Sequence, residues 1–189
     1  MRESKLLPIL RSQTQGELLA RLFLNPDKEF MISDLSRALK VSVPGIHHEV
    51  VRLFDAGYIF ERREGRNRLV RANQQMNLAE PLTTILALTY GPIPVLEEAL
   101  LGIRGIDRAF IYGSWAKRYH GETGNVPNDI DLGLIGSVKS DDIFECILAS
   151  EETLLREVNV TIFSATDWKK GSPLIREIKS SSQVEINLE

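Results

Sequence analysis

Between positions 16 and 24 the apolar residues fall at Leu18, Leu19, Leu22 and Phe23, the one-sided stripe of an amphipathic helix. Asn25-Pro26-Asp27 ends it, because a residue preceding proline is pushed out of the α region. Phe30-Met31-Ile32 reads as extended, Ser33 as an N-cap, and residues 34–39 as a second short helix. A second capping serine, Ser42, opens a third helix over residues 43–56, with Ile46, Val50, Leu53 and Phe54 at 3–4 spacing and Pro44 in the first turn. Gly57 supplies the left-handed residue at its end. Residues 58–64 and 67–72 form two short strands joined through Gly65-Arg66, a hairpin. Residues 78–101 are apolar at helical spacing but interrupted by Gly91-Pro92-Ile93-Pro94, which predicts two helices with a bend. Residues 106–112 end in the continuous apolar run of a buried strand, and Gly113-Ser114 turns it into a short helix over residues 115–119. Past a polar loop at 120–128, a strand opens with Asp129-Ile130-Asp131, followed by a helix at 141–155 and a strand at 156–163. Beyond Trp168 come a closing helix and a last strand at 184–188.

These elements predict an α+β chain in three parts: a winged helix-turn-helix over residues 1–76, a helical connector over 77–101 and a mixed α/β domain over 102–189. Three helices and a hairpin in about 60 residues is the winged-helix arrangement, whose third helix enters the major groove of DNA. The connector reads as interdomain packing or, alternatively, as a dimer contact, and a homodimer would suit the reading of a palindrome.

Composition narrows the class. Of 189 residues 43% are apolar and 26% charged, the balance of a globular protein rather than a disordered or fibrous one. No apolar run approaches the roughly 20 residues of a membrane-spanning helix, so no membrane partner is expected. The Leu6-Leu7-Pro8-Ile9-Leu10 patch is too short for a secretory leader. A lone cysteine, Cys146, cannot form an internal disulfide, which agrees with a cytoplasmic location. The net charge of −3 conceals an asymmetry: residues 1–78 hold 13 Lys and Arg against 9 Asp and Glu, whereas the rest hold 10 against 17. A basic segment joined to an acidic one suits attraction to phosphate at one end only, although two solvated surfaces of unlike charge would look the same.

The candidate chemistry follows this division. On the third helix Ser42, His47, His48 and Arg52 lie away from the apolar stripe, and the hairpin carries Arg62, Arg63, Arg66, Arg68 and Arg71. A row of guanidinium groups suits phosphate or minor-groove contact with double-stranded DNA; a merely solvated wing or a protein contact would also use it. In the second half the alternation of a strand puts Asp129 and Asp131 on one side. Two adjacent carboxylates repel unless a cation lies between them, and a hard divalent ion such as Mg²⁺ or Mn²⁺, shared with substrate phosphates, fits best. Gly113-Ser114 at a strand-to-helix turn lets backbone approach a phosphate, with Lys117 and Arg118 behind it.

Residues 13–75 resemble the winged-helix domains of bacterial ArsR-like and MarR-like regulators, notably in Leu35-Ser36-Arg37-Ala38-Leu39 and Val51-Arg52-Leu53-Phe54-Asp55-Ala56-Gly57-Tyr58-Ile59, without the cysteine pair of the arsenic sensors. Phe110-Ile111-Tyr112-Gly113-Ser114 together with Asn128-Asp129-Ile130-Asp131-Leu132 resembles the nucleotidyltransferase superfamily of DNA polymerase β-like fold, over about residues 95–189. That resemblance implies that Asp129 and Asp131 bind the metal and that Gly113 and Ser114 hold a nucleoside triphosphate. It also implies a third carboxylate on a later strand. Asn159 stands near that position, and Glu157, two residues earlier and so on the same face, is the candidate catalytic base alongside Asp129 and Asp131. Two functions are therefore expected of the pair of domains. One is a transcriptional regulator whose second domain binds Mg-nucleotide; the other is an active transferase moving a nucleotidyl group to a protein, RNA or small-molecule acceptor.

Overall fold

The computed structural model describes residues 10–188. The chain divides at Gly91 into two compact units. Residues 1–9, which hold most of the apolar patch weighed above as a leader, lie outside the described residues. Among the described residues no helix is long and apolar enough to cross a membrane.

In the first unit α1 (Gln13–Phe23) begins earlier than its apolar stripe, because the Ser12 hydroxyl accepts from Gln15 N at 3.1 Å and caps it. Then come β1 (Phe30–Met31), α2 (Ile32–Leu39), α3 (Val43–Asp55), β2 (Ile59–Glu64), β3 (Asn67–Ala72) and α4 (Ala79–Tyr90). Ser33 is not the cap of α2. The helix already includes Ile32, whose burial in the first turn outweighs a serine cap, and the preceding Met31 makes no side-chain capping bond. Ser42 does cap α3, its hydroxyl accepting from Gly45 N at 3.3 Å. The three strands pair antiparallel in the order β1-β3-β2, so the β2–β3 hairpin forms the wing of a winged-helix unit. Leu18, Leu22, Phe23, Leu35, Ile46, Val50, Ile59 and Val70 make the core. Leu86 and Ala79 of α4 belong to it too. Burying Leu86 is worth about 2 kcal/mol, which makes α4 part of this unit rather than a connector, while α5 falls in the other unit.

The second unit runs α5 (Pro92–Leu100), β4 (Ile106–Tyr112), α6 (Gly113–Tyr119), β5 (Asp129–Gly136), α7 (Ser140–Leu154), β6 (Glu157–Phe163), α8 (Ala165–Lys170), α9 (Pro173–Ser180) and β7 (Val184–Ile186). Its sheet has the order β6-β5-β4-β7, with β5 and β6 parallel and the other pairs antiparallel. Ile130, Leu132 and Leu134 on one face of β5 are fully buried. On the other face Phe110, Ile135 and Phe163 pack beneath Ile175 and Ile178 of α9, with Trp168 of α8 alongside. The single closing helix expected near Trp168 is two, each with its own serine cap: Ser164 accepts from Asp167 N at 3.0 Å and Ser172 from Ile175 N at 3.3 Å.

This second core depends on a missing side chain. A Cβ on Gly133 of β5 would sit 2.4 Å from the Phe110 ring, so the ring lies directly over the strand there. Gly133→Ala should therefore destabilise the second unit by about 1–3 kcal/mol, read as a lowered urea midpoint for its transition with that of the first unit unchanged.

Candidate nucleic-acid interface and carboxylate site

The buried stripe of α3 is Ile46, Val50 and Leu53, which leaves Ser42, Val43, Pro44, His47, His48 and Arg52 exposed. Phe54, expected on that stripe, lies off it and is 47% exposed. Among the DNA-facing candidates, Ser42 already uses its hydroxyl as the helix cap. Arg52 lies 3.7 Å from Glu49, a carboxylate that Arg11 also holds at 2.9 Å. His48 projects from the exposed face of the helix.

The arginines of the wing do not form one row. Arg62 donates from Nε to both carboxylate oxygens of Glu29, at 3.0 and 2.9 Å, and lies 3.5 Å from Glu64. Arg68 donates from Nε to Glu61 at 2.7 Å and from Nη2 to its second oxygen, and its Nη1 donates to His47 Nε2 on α3. These bonds hold the Glu29 and Glu61 carboxyls below the usual carboxylate range. Arg71 stacks over Phe60 at 5.3 Å. Arg63 and Arg66 are exposed and make no hydrogen bond or ion pair among the described residues. Their guanidinium groups are available to a phosphate. Sequence reading overlooked the carboxylates interleaved with these arginines; the Glu61-Arg62-Arg63-Glu64 run is the signal that shows them, once strand register is known. It also passed over Val43, which stands 50% exposed on the first turn of α3.

In the second unit, strand pairing brings the other candidates together. Register sets Asp131 between Tyr112 of β4 and Asn159 of β6, and sets Asp129 beside Glu157. Residues directly opposite in a sheet project to the same side, so all five share one face. The Asn159 amide donates from Nδ2 to Asp129 Oδ2 at 3.1 Å. Burial, and then the charge of Asp129, raise the Asp131 carboxyl above its ordinary range, with the hydrogen bond from Asn159 opposing them. Gly113 adopts φ +70°, and a Cβ there would meet Asp131 Oδ2 at 2.3 Å. Only glycine tolerates both conditions, so the strand-to-helix turn is pressed against the Asp131 carboxylate. Beside Thr161, the Tyr112 hydroxyl makes a 3.3 Å hydrogen bond.

The remaining candidates are less closely joined. Ser114 and Lys117 are exposed. Arg118 is drawn into the following loop, donating to Asn125 O and Glu122 O at 3.2 Å each, so it braces that loop instead of facing the pair. Glu157 is exposed, and its carboxylate makes no hydrogen bond among the described residues. Among the described residues no group of three or more His, Cys, Asp or Glu could hold a metal ion. Two carboxylate groups and an amide do suit the manner in which Mg²⁺ binds, through one or two carboxylates with the remaining ligands from phosphate and water.

No family model matches the sequence, and no curated protein matches it. Similar solved structures cover the chain in part. Reduced HlyU from Vibrio cholerae is 18% identical over 44% of this chain and 82% of its own, with a TM-score of 0.36. MepR, a transcription regulator of the Staphylococcus aureus multidrug efflux pump MepA, is 19% identical over 41% of this chain, with a TM-score of 0.35. The heme sensor protein PefR from Streptococcus agalactiae, in complex with heme, is 21% identical over 41% of this chain, again with a TM-score of 0.35. The match spans 58% of the MepR chain and 54% of the PefR chain.

A carboxyl whose folded value is raised stabilises the fold through its neutral form. That contribution is complete below the ordinary carboxylate range and is lost as pH rises through the folded value. Asp131→Asn should accordingly raise the melting temperature of the second unit at neutral pH, and the gain should vanish in acid below the ordinary carboxylate range.

Proposed function

We propose that the chain is a DNA-binding transcriptional regulator whose second unit binds a magnesium-bound nucleoside triphosphate. The observation that carries the DNA reading is the exposed side of α3, bearing His47, His48 and Arg52, beside a wing whose Arg63 and Arg66 make no hydrogen bond or ion pair among the described residues. The Gly113 turn pressed against Asp131, with Asp129 on the same sheet face, supports the nucleotide reading. Asp129 and Asp131 would hold the metal, whose positive charge would offset that of the carboxylates and of the phosphates. Ser114 and Lys117 lie next along α6 and would meet the same phosphates. Asn159, opposite Asp131, brings neither a negative charge nor a base, which favours binding over transfer. If the two events are coupled, DNA must alter nucleotide affinity by the factor by which nucleotide alters DNA affinity.

Titration of a labelled duplex by fluorescence anisotropy at several salt concentrations tests the first half. Affinity should fall steeply with salt, and Arg63→Ala or Arg66→Ala should each reduce the slope by about one, whereas Arg62→Ala should leave it unchanged. Binding that ignores salt would end the DNA reading. For the second half, calorimetry with ATP, GTP, CTP and UTP should give heat only with Mg²⁺ present, and none with Asp129→Asn. Pyrophosphate should not be released. Release that disappears in Asp129→Asn would instead make the second unit a nucleotidyltransferase, with Glu157, on the same sheet face, as its base.

A further inference from the structure

One side chain joins the exposed helix of the first unit to the wing. We infer that Arg68 is a positioning residue rather than a phosphate contact: clamped on Glu61, it holds His47 with Nε2 as acceptor and Nδ1–H turned to the groove, which makes His47 the base-reading residue of the interface. The inference rests on the DNA-binding reading above.

A guanidinium has five N–H donors and no acceptor. Arg68 commits Nε and Nη2 to Glu61 and Nη1 to His47. Because Arg68 can only donate, His47 Nε2 is the accepting lone pair, and the proton of the neutral imidazole sits on Nδ1. The clamp is well covered. Glu61 and Arg68 are 15% and 21% exposed at their side chains, against 31% and 49% for Glu29 and Arg62 across the same wing. Swinging Arg68 out to a phosphate would take from the partly covered Glu61 carboxylate its hydrogen-bonded partner, a cost that Arg63 and Arg66, which make no such bond among the described residues, do not bear. Register explains the placement: Glu61 lies opposite Val70 and Arg68 opposite Arg63, so the clamp is on the core side of the hairpin, where α3 runs.

His47 is exposed and stands four residues after Val43, which is 50% exposed, so the two are neighbours on one side of α3 near its start. A fixed N–H donor beside a small apolar side chain matches the major-groove acceptors of guanine or the O4 and methyl group of thymine. Charge neutralisation then falls to Arg63, Arg66 and Arg52, and base reading separates from phosphate contact.

The test selects duplexes from a random pool with the full chain, then compares affinity for the enriched duplex and a scrambled one across salt concentrations. His47→Ala should lower the enriched-to-scrambled ratio about tenfold while leaving the salt slope unchanged. Arg68→Lys, which keeps the charge but cannot bridge Glu61 and His47 together, should lower the ratio similarly, and His47→Ala combined with Arg68→Lys should be no worse than His47→Ala alone. Nitrogen NMR of the free protein should show His47 with its proton on Nδ1, a signature lost in Arg68→Ala. The inference is overturned if Arg68→Lys keeps the wild-type ratio, if Arg68→Ala weakens both duplexes equally and lowers the slope by about one, or if His47 carries its proton on Nε2. Failure of the wild type to enrich any sequence, with no salt-dependent binding, would instead overturn the DNA reading itself.

Discussion

A β-strand has no means of turning residues i and i+2 to different sides, and the second unit is arranged around that constraint at Asp129 and Asp131. Two carboxylates on one face at the start of β5 repel each other, and the rest of the strand must hold them there. It does so through Ile130, Leu132 and Leu134, all fully buried on the opposite face. Each is worth roughly 1.5–3 kcal/mol of burial, enough to anchor the strand against repulsion at its partly exposed end. Farther along, Gly133 accepts the Phe110 ring, which joins β5 to the α8 and α9 layer on the carboxylate side. Parallel pairing with β6 then brings in an amide, not a third carboxylate, beside Asp131, and Asn159 answers one of the negative charges with a donor. The same antiparallel pairing that seats Tyr112 beside Asp131 delivers Gly113, the next residue, against the carboxylate.

The first unit meets the reverse problem, too many cations on a two-stranded ribbon. Arg63 and Arg68 lie directly opposite each other, an arrangement that is unfavourable for like charges. Glu61 resolves it by taking up Arg68 on the inner face, and Glu29 takes up Arg62 on the outer one. What remains for an external phosphate is smaller than the arginine count, and it is concentrated at Arg63 and Arg66 near the hairpin turn. Within the wing, the guanidinium groups without a hydrogen bond or ion pair among the described residues thus include those at its tip, while Arg68 nearer its base contacts α3. This division arises from cross-strand neighbours and not from the number of basic residues.

Much of this architecture is local and so was written in the chain itself. The helical stripes, the Ser42 cap, the hairpin around Gly65-Arg66, the break at Gly91-Pro92 and the shared face of Asp129 and Asp131 all follow from periodicity and turn chemistry within a few residues. Where two local rules competed, packing decided: Ile32 entered α2 ahead of the Ser33 cap, and α4 joined the first core through Leu86. The partners of the charged groups were beyond local reading. That Arg68 belongs to Glu61 and His47, that Arg118 braces its own loop, that the Asn159 amide donates to Asp129 and that Gly113 touches Asp131 all depend on strand register and chain return, although the resemblance had already set Asn159 near the third-carboxylate position. Backbone preferences act over three or four residues, so the sequence alone determined the elements; a charge is spent on whatever the fold brings within about 3 Å, and only the tertiary structure decided that.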